Sequence, residues 1–433
     1  MVCCSDFAGQ VRGKGFPRKD LDNRWTKGVG WTPTNIMINC FGEIPATPWG
    51  AVGDLVLRPD PAGEVLIDFD DGGPDAHFVE HFILGDIETM DGSPWCCCPR
   101  SYLKAALAEL ARDFGLAVRA AFEHEFTVTS LAPRLGSAYG LEATRQIGVL
   151  PDVILTALDR AGLAPDTFLP EYSPGQFEIT VDPAPGLEAA DRAVKLRQIV
   201  RAAAVRCGHR ASFSPIMRRG GVGNGVHIHF SLEDVDGQPR SYDVDRPHGI
   251  AAAAAPFIAG ILAHGQALPA ITAPSVISYE RIRPNAWSAS VTNLGVRDRE
   301  AFVRVCPVSE RPGADVAKQF NFEFRAADSA ATPYLALGAI VRAGLDGLHR
   351  DLALPAPVSA SDAAAMSASA RTENGIADLP KSLDAALAML QRDDGTLMPD
   401  AMREPYAMHK HGEIACAGKL DGEALFETYA TVY

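Results

Sequence analysis

The sequence predicts an α+β protein in which a small β-rich N-terminal domain precedes a larger domain of mixed strands and helices. Residues 1 to about 95 combine many Gly and Pro residues with short apolar runs, such as 55–57 and 65–67, that are typical of strands. Clear helical periodicity begins only after Pro99 and Arg100. We therefore place a boundary at residue 98, which divides the chain into domains 1–98 and 99–433.

The larger domain begins with a predicted helix over residues 102–114, which Gly115 ends. Strands are predicted at 118–129, 176–181, 226–232 and 319–326. Helices are predicted at 187–206, at 334–348 after Pro333, and from 251–255 onward. The small-residue segment 359–370 is interpreted as a surface excursion, and two short helices are expected in the tail, at 382–390 and 423–429.

Composition excludes several classes of partner. The formal net charge of −14 over 433 residues argues against binding to a phosphate backbone, so no nucleic acid is expected. No apolar run reaches about 18 residues, so no membrane span is predicted. The N-terminus does not resemble a signal peptide, and the consecutive Cys96, Cys97 and Cys98 suit neither a disulfide framework nor a zinc site. These features favour free thiols in a reducing cytoplasm.

Two acidic runs predict a cluster of carboxylates. Glu123 and Glu125 alternate along one predicted strand and therefore share a face. Glu171 and Glu178 flank a Pro-Gly turn, and Glu178 lies early in the following strand. Taken alone, the first run is also consistent with two solvated side chains, and the second with a hairpin carrying incidental acids.

Two further runs add a possible histidine ligand and a fifth carboxylate. A Gly-rich loop at 223–225 leads into a strand that places His227, His229 and Ser231 on one face. Glu323 and Arg325 share a face farther along, which is also consistent with a simple ion pair. Five Glu and at least one His on predicted strands suit Mg²⁺ or Mn²⁺ rather than zinc.

Arginines cluster between residues 281 and 325 in a chain that has fewer basic than acidic residues. Guanidinium groups bind carboxylate and phosphate through paired hydrogen bonds, although surface ion pairs are the alternative. Hard divalent ions beside such arginines are the usual apparatus of phosphoryl transfer. The arginines singled out in this stretch are Arg281, Arg283, Arg297, Arg299, Arg304 and Arg325.

In this order, the four runs resemble the glutamine synthetase superfamily. Residues 6–14 look like the start of that family's β-grasp N-terminal domain, and 86–100 resemble its link into the catalytic domain. The resemblance implies a large catalytic domain with a curved antiparallel sheet and flanking helices. It also implies an active site between adjacent subunits of a ring, with two rings commonly stacked into a dodecamer.

The resemblance further implies roles for individual residues. Glu125, Glu171 and Glu178 resemble the ligands of a first metal ion, and Glu123, His227 and Glu323 those of a second, nearer the phosphates of ATP. Arg281 and Arg325 resemble the pair that holds glutamate, beside the loop of Gly223 and Gly225. Arg299 and Arg304 resemble phosphate-binding arginines, with Lys318 at a matching basic position, while His229 and Ser231 fall where the family contacts the nucleotide.

The implied reaction is a ligation of glutamate that consumes ATP. ATP converts the γ-carboxylate to γ-glutamyl phosphate, an amine then attacks, and phosphate leaves. Metal ions and arginines neutralise the charge that builds on the transferring group. No convincing Ser or Cys nucleophile elbow is present, in agreement with a route that lacks a covalent enzyme intermediate.

The chain departs from the pattern of ammonia-using enzymes at the flap, the segment that follows Arg281. Trp287 stands where those enzymes carry a Glu that deprotonates ammonium, and Val222 replaces the usual Asn before the Gly-rich loop. A Trp can line an apolar pocket or contact a cation, but it accepts no proton. The acceptor is therefore expected to be an organic amine, as in the γ-glutamylamine ligases of amine catabolism. The alternatives are ordinary glutamine synthetase, a non-catalytic relative, and a Trp287 that only packs the flap.

Overall fold

The computed structural model describes residues 1–69, 79–132, 134 and 136–433. The N-terminal part forms a five-stranded sheet in the order β2-β1-β5-β4-β3. In it, β1 and β5 run parallel and the other neighbours antiparallel. The elements are β1 Val2–Ser5, β2 Val11–Lys14, α1 Leu21–Lys27, β3 Val29–Trp31, β4 Leu55–Asp68 and β5 Val79–Glu88, with 3-10 turns at Arg18–Asp20 and Pro33–Met37.

The larger part is built on a nine-stranded sheet with the central order β12-β13-β14-β11-β6-β8-β7, and β9 and β10 also pair with β6. Its strands are β6 Leu116–Val128, β7 Pro165–Pro170, β8 Gln176–Val181, β9 Ala184–Pro185, β10 Ala211–Ser212, β11 Val226–Asp234, β12 Leu294–Val296, β13 Val303–Val305 and β14 Phe322–Phe324. The α+β class and the two-part organisation are confirmed.

Helices flank this sheet. α2 and α5 pack against β6, and α10 packs on α2, α5 and α6. The helices are α2 Pro99–Phe114, α3 Leu141–Gln146, α4 Leu150–Arg160, α5 Gly186–Arg206, α6 Ala254–Ala263, α7 Pro269–Thr272, α8 Ser278–Arg281, α9 Val316–Gln319, α10 Pro333–His349, α11 Ala360–Ala365, α12 Ala368–Glu373, α13 Leu383–Gln391, α14 Asp400–Ala417 and α15 Gly422–Val432, with a 3-10 turn at Pro247–Gly249. None of these helices in the described part of the chain is long and apolar enough to cross a bilayer.

Strand β6 separates the hydrophobic core from the site. Phe122 and Phe126 lie on its fully buried face, together with His124, whose pKa is lowered to about 3 by burial and by the nearby Arg197 charge. Because side chains alternate along a strand, Glu123 and Glu125 project from the opposite face, which is only partly buried. The core packing of one face thus fixes the direction of the acidic side chains on the other.

One buried arginine joins the two parts of the chain. Arg100, at the start of α2, donates to Asp60 Oδ2 of β4 at 2.8 Å and to Asp86 of β5 at 3.2 Å. The same guanidinium donates to both carboxylate oxygens of Asp191 on α5, at 2.9 and 2.8 Å. Such a paired geometry holds the N-terminal sheet against the helical layer.

The sheet, which the resemblance implied to be antiparallel, has one parallel pair at its edge, formed by β12 and β13. Parallel neighbours usually require a long crossover, but strands of three residues are short enough for the loop 297–302 to return the chain. The predicted strand at 319–326 is also shorter than expected, because Gln319 ends α9 and only Phe322–Phe324 pairs. The segment predicted as a surface excursion contains the short helices α11 and α12.

Candidate active site

The central strands bring the predicted ligands together by cross-strand pairing. Glu125 on β6 lies opposite Glu178 on β8, and Glu123 lies opposite His227 on β11. His229 in turn lies opposite Glu323 on β14, whose other neighbour is Arg304 on β13. Directly opposed residues lie close enough for their side chains to meet, so one row of acids and bases crosses five strands.

The acidic end of this row is a group of closely spaced carboxylates that no Lys or Arg side chain pairs with among the described residues. Ligand atoms of Glu123, Glu178 and His227 all lie within 4.8 Å of one another. The pKa of Glu178 is raised to about 9 by burial and by the charges of Glu123, Glu125 and Glu171. Burial and the Glu125 charge also raise the pKa of Glu171. Carboxylates held this close are costly unless a cation meets them, so the cluster fits a hard divalent ion.

The opposite end of the row is rich in positive charge. Glu323 is 1% exposed and accepts a hydrogen bond from Arg304 Nη1 at 2.8 Å, while Arg325 pairs with its other oxygen. His227 Nδ1 lies 3.5 Å from Glu323 Oε1 and 3.4 Å from Glu123 Oε2. Burial alone would raise the pKa of Glu323, but His227, Arg325 and His229 outweigh it and lower that pKa to about 2.

His229 lies between the acids of β6 and the edge strands. Its Nε2 lies 3.0 Å from Glu123 Oε1, and its Nδ1 lies 2.8 Å from Asn321 Oδ1. Burial would lower the pKa of His229, but hydrogen bonds to Cys306 and Glu123 raise it well above its usual value. Ser231, two residues on, is half-buried on the same face of β11.

The Gly-rich loop lies directly against Arg281. Gly225 N donates to Glu125 Oε2 at 3.0 Å, so the loop also touches the carboxylate cluster. Arg281 is buried and donates to Ala327 O at 2.7 Å, while its Nε has no hydrogen-bond partner among the described residues and lies 3.9 Å from Asp328 Oδ2. A Cβ added to Gly223 would overlap Arg281 Cγ and Cδ. The loop is therefore Gly-rich because the arginine side chain occupies the adjacent space.

Replacing Gly223 by Ala is expected to displace Arg281. If Arg281 binds glutamate as the sequence predicts, the KM for glutamate should rise by about 10-fold or more, equivalent to roughly 1.4 kcal/mol of lost binding. Steady-state kinetics at varied glutamate would measure this effect. Gly30→Ala is the matched control, since a Cβ there meets nothing within 4 Å. An unchanged KM in the Gly223→Ala enzyme would contradict the assignment of Arg281 to glutamate.

The flap connects both predicted glutamate-binding arginines. Ser288 Oγ accepts from Arg281 Nη1 at 3.2 Å, and the Trp287 carbonyl accepts from Arg325 Nη2 at 3.2 Å. Trp287 itself has a φ of 53°, and the residue is 66% exposed in the single chain. The structure thus anchors the backbone of Trp287 in the site and leaves its indole accessible.

Two predicted phosphate-side residues lie apart from the hydrogen-bonded row. Arg299 is exposed on the loop between β12 and β13, where its charge acts on Tyr139. Lys318 on α9 has a side chain that is 76% exposed and lies 3.5 Å from Asp315 Oδ2. Arg304, by contrast, is 7% exposed and keeps an Nε without a partner among the described residues.

Sequence reasoning missed two residues that support the carboxylates. Gln176 Nε2 donates to Glu125 Oε2 and to the Gly223 carbonyl, both at 2.9 Å, and so ties the acidic cluster to the Gly-rich loop. Gln176 lies two residues before Glu178 on one strand, and this spacing could have identified it. Tyr139 shares a hydrogen bond with Glu171, but it lies in a loop, where no periodicity marks it.

Comparison with known proteins agrees with this geometry. Residues 1–95 match the glutamine synthetase N-terminal domain, and residues 96–418 match the glutamine synthetase catalytic domain. The chain is 32% identical to the gamma-glutamylpolyamine synthetase GlnA3 of Streptomyces coelicolor, over 99% of this chain and 92% of that protein. It is 30% identical to type-1 glutamine synthetase 1 of Dictyostelium discoideum, over 83% of this chain and 76% of that protein.

Solved structures show the same fold. A protein described as a novel glutamine synthase homolog superimposes with a TM-score of 0.90 and 39% identity, over 100% of this chain and 97% of that one. A complex of GmaS with ADP superimposes with a TM-score of 0.79 and 26% identity, over 98% of this chain and 94% of that one.

The two-part fold and the row of carboxylates, histidines and arginines define an ATP-dependent carbon–nitrogen ligase. The chain belongs to the glutamine synthetase family, because a family model covers most of its length and a relative matches nearly all of it. The predicted resemblance is confirmed. As in that family generally, its substrates are glutamate and an amine or ammonia, and ATP and divalent metal ions take part in the reaction.

Proposed function

We propose that this enzyme joins the γ-carboxyl of glutamate to an organic amine through γ-glutamyl phosphate. The observation that carries this proposal is the flap. Its backbone is hydrogen-bonded to Arg325, and Trp287, which we align with the ammonium-binding Glu of the family, is exposed. An indole contacts the apolar or cationic part of an amine but takes no proton from ammonium. The similarity to a gamma-glutamylpolyamine synthetase supports the same acceptor class.

In this proposal, the acidic cluster holds Mg²⁺ or Mn²⁺. Glu125, Glu171 and Glu178 hold one ion, and Glu123, His227 and Glu323 hold a second, an arrangement supported by the raised pKa of Glu178. When bound, the ions neutralise the charge on the transferring phosphoryl group.

The remaining residues position the substrates. Arg281 and Arg325 hold the carboxylates of glutamate beside Gly223 and Gly225. Arg304 and Arg299, with Lys318, meet the phosphates, and the unpaired Nε of Arg304 supports a free donor there. His229 and Ser231 contact the nucleotide, and Trp287 lines the entry of the amine. Preorganised positive charge of this kind accounts for much of the rate of phosphoryl transfer.

The proposed assembly is two stacked rings forming a dodecamer, with each site completed by a neighbouring subunit. Light scattering coupled to size-exclusion chromatography would test it. A mass near twelve times that of one chain is expected, whereas a catalytically active monomer would exclude a shared site.

An acceptor panel tests the proposed reaction. Phosphate release from ATP and glutamate is measured with ammonia, methylamine, isopropylamine, putrescine, spermine, ethanolamine and aniline. At least one organic amine is expected to exceed ammonia in kcat/KM by about 10²-fold, since a site built for one acceptor rejects poor fits. Ammonia exceeding each organic amine would favour an ordinary glutamine synthetase instead.

The variant Trp287→Glu tests whether the flap residue determines the preference for an organic amine over ammonia. It restores a carboxylate to the flap and is expected to narrow the ratio of organic amine to ammonia by about 10-fold or more, because ammonium gains an ion-pairing partner. Trp287→Phe is the matched control, because it keeps an aromatic ring and adds no charge. If Trp287→Glu and Trp287→Phe have the same ratio of organic-amine to ammonia kcat/KM, Trp287 only packs the flap.

A further inference from the structure

The loop between β12 and β13 lies against the flap and carries a carboxylate, Glu300, that contacts it. Asp298 stabilises this loop, since its Oδ1 accepts from Glu300 N at 3.0 Å and its Oδ2 accepts from Ala360 N at 2.7 Å. The loop therefore presents the Glu300 side chain, which is half-exposed, from a fixed backbone.

Glu300 touches the flap at Trp287, the residue that we align with the flap Glu of ammonia-using enzymes. Its Oε1 accepts the backbone N–H of Trp287 at 3.2 Å, and the carbonyl of the same residue accepts from Arg325. A single flap residue thus bridges a carboxylate on one side and a predicted glutamate-binding arginine on the other. The positive φ of Trp287 is uncommon for a bulky residue, and these two hydrogen bonds hold it.

Two other carboxylates near the flap, Glu323 and Asp328, are buried against positively charged side chains. Glu323 is buried among Arg304, Arg325 and His227. Asp328 is fully buried and faces Arg281. Glu300 differs because it remains accessible and uses only one oxygen for the flap, leaving Oε2 without a hydrogen-bond partner among the described residues.

We propose that Glu300 receives the ammonium group of the organic acceptor and takes its first proton, so that it supplies the charge that Trp287 cannot. This inference rests on the proposed function. An amine enters as R–NH₃⁺ and transfers one proton to the Glu300 carboxylate, giving R–NH₂ and a neutral carboxylic acid. The nitrogen lone pair then forms the C–N bond at the acyl carbon, and the C–O bond to phosphate breaks. The second amine proton leaves with the phosphate, and Glu300 returns its proton to solvent.

Glu300→Gln is the decisive variant, because its amide oxygen still accepts the Trp287 N–H while the negative charge is lost. We expect kcat/KM for the preferred amine of the panel to fall by about 10²–10⁴-fold, the usual contribution of a general base. The residual rate should rise with pH as more amine becomes unprotonated. Glu300→Asp should recover part of the rate. Glu310→Gln, which alters an exposed acid paired with Arg297, is the matched control and should retain wild-type kinetics.

Hydroxylamine separates proton transfer from a structural effect, because it is mostly unprotonated at pH 8. Formation of γ-glutamyl hydroxamate by Glu300→Gln should stay within about 3-fold of wild type, since the acyl phosphate still forms and its acceptor brings no excess proton. Equal losses with the amine and hydroxylamine, or an unchanged rate with the amine, would overturn the role of Glu300. If the wild-type enzyme makes the hydroxamate but uses no organic amine, the proposed ligation of organic amines is contradicted. The role of Glu300, which rests on that function, is then contradicted as well.

Discussion

Replacement of Glu323 by Gln is expected to lower kcat by about 10²–10³-fold and to destabilise the chain by about 3–5 kcal/mol. Glu323 is nearly inaccessible and meets Arg304, Arg325 and His227. A neutral amide would leave these cationic groups buried without their counter-charge. The proposed metal binding by Glu323 and its ion pairs with Arg304 and Arg325 would be lost together.

Urea unfolding at pH 7 and phosphate-release kinetics measure the two effects. The pKa of Glu323 is lowered to about 2, below the value near 4.3 of an unfolded Glu. Its stabilising contribution is therefore fully present above pH 4.3 and is lost as the pH falls toward 2. The stability difference between wild type and Glu323→Gln should shrink across that window, and Glu310→Gln should show no such trend. Equal stability of both proteins at pH 7 would contradict the buried charge network.

Much of the site could be predicted because strand periodicity is local. Alternation along β6 alone places Glu123 and Glu125 on one face, and the structure confirms that they share it. The same reasoning placed His227 and His229 together on β11. What periodicity could not give is register, since pairing Glu125 with Glu178 depends on how distant strands align. The ordered motifs of the family supplied that information.

The parts that escaped prediction are those set by tertiary contacts. Helix α14 was missed because it carries Pro405 and a polar, weakly periodic sequence, yet Tyr406 and His409 are fully buried in it. Helix α14 packs against the N-terminal segment, where the rings of Phe7 and Tyr406 have centroids 5.3 Å apart. This tertiary packing stabilises the helix despite its internal proline and weak periodicity. Tyr139 and Glu300 belong to loops, where contacts with Glu171 and the flap have no sequence signature.

Replacement of Glu178 by Gln is expected to stabilise the metal-free protein while lowering its activity. In the metal-free protein, burial and three neighbouring carboxylates raise the pKa of Glu178 to about 9, whereas an unfolded Glu titrates near 4.3. The folded state therefore holds the extra proton between these values, and stability falls as the pH rises through that window. A neutral Gln removes this repulsion, so the metal-free variant should melt about 2–4 °C higher than wild type at pH 8.

The same substitution should weaken the response of the protein to metal. Mg²⁺ or Mn²⁺ binding to wild type near pH 7 requires the Glu178 proton to leave, so calorimetry in buffers of different ionisation enthalpy should detect close to one proton released. Glu178→Gln should release less, gain little melting temperature from the metal, and lose about 10²-fold or more in kcat. Glu188→Gln, an exposed acid of α5 paired with Arg192, is the control and should match wild type. A metal-free Glu178→Gln protein that melts lower than wild type, with its metal response intact, would mean that Glu178 acts in packing and that the cation lies elsewhere.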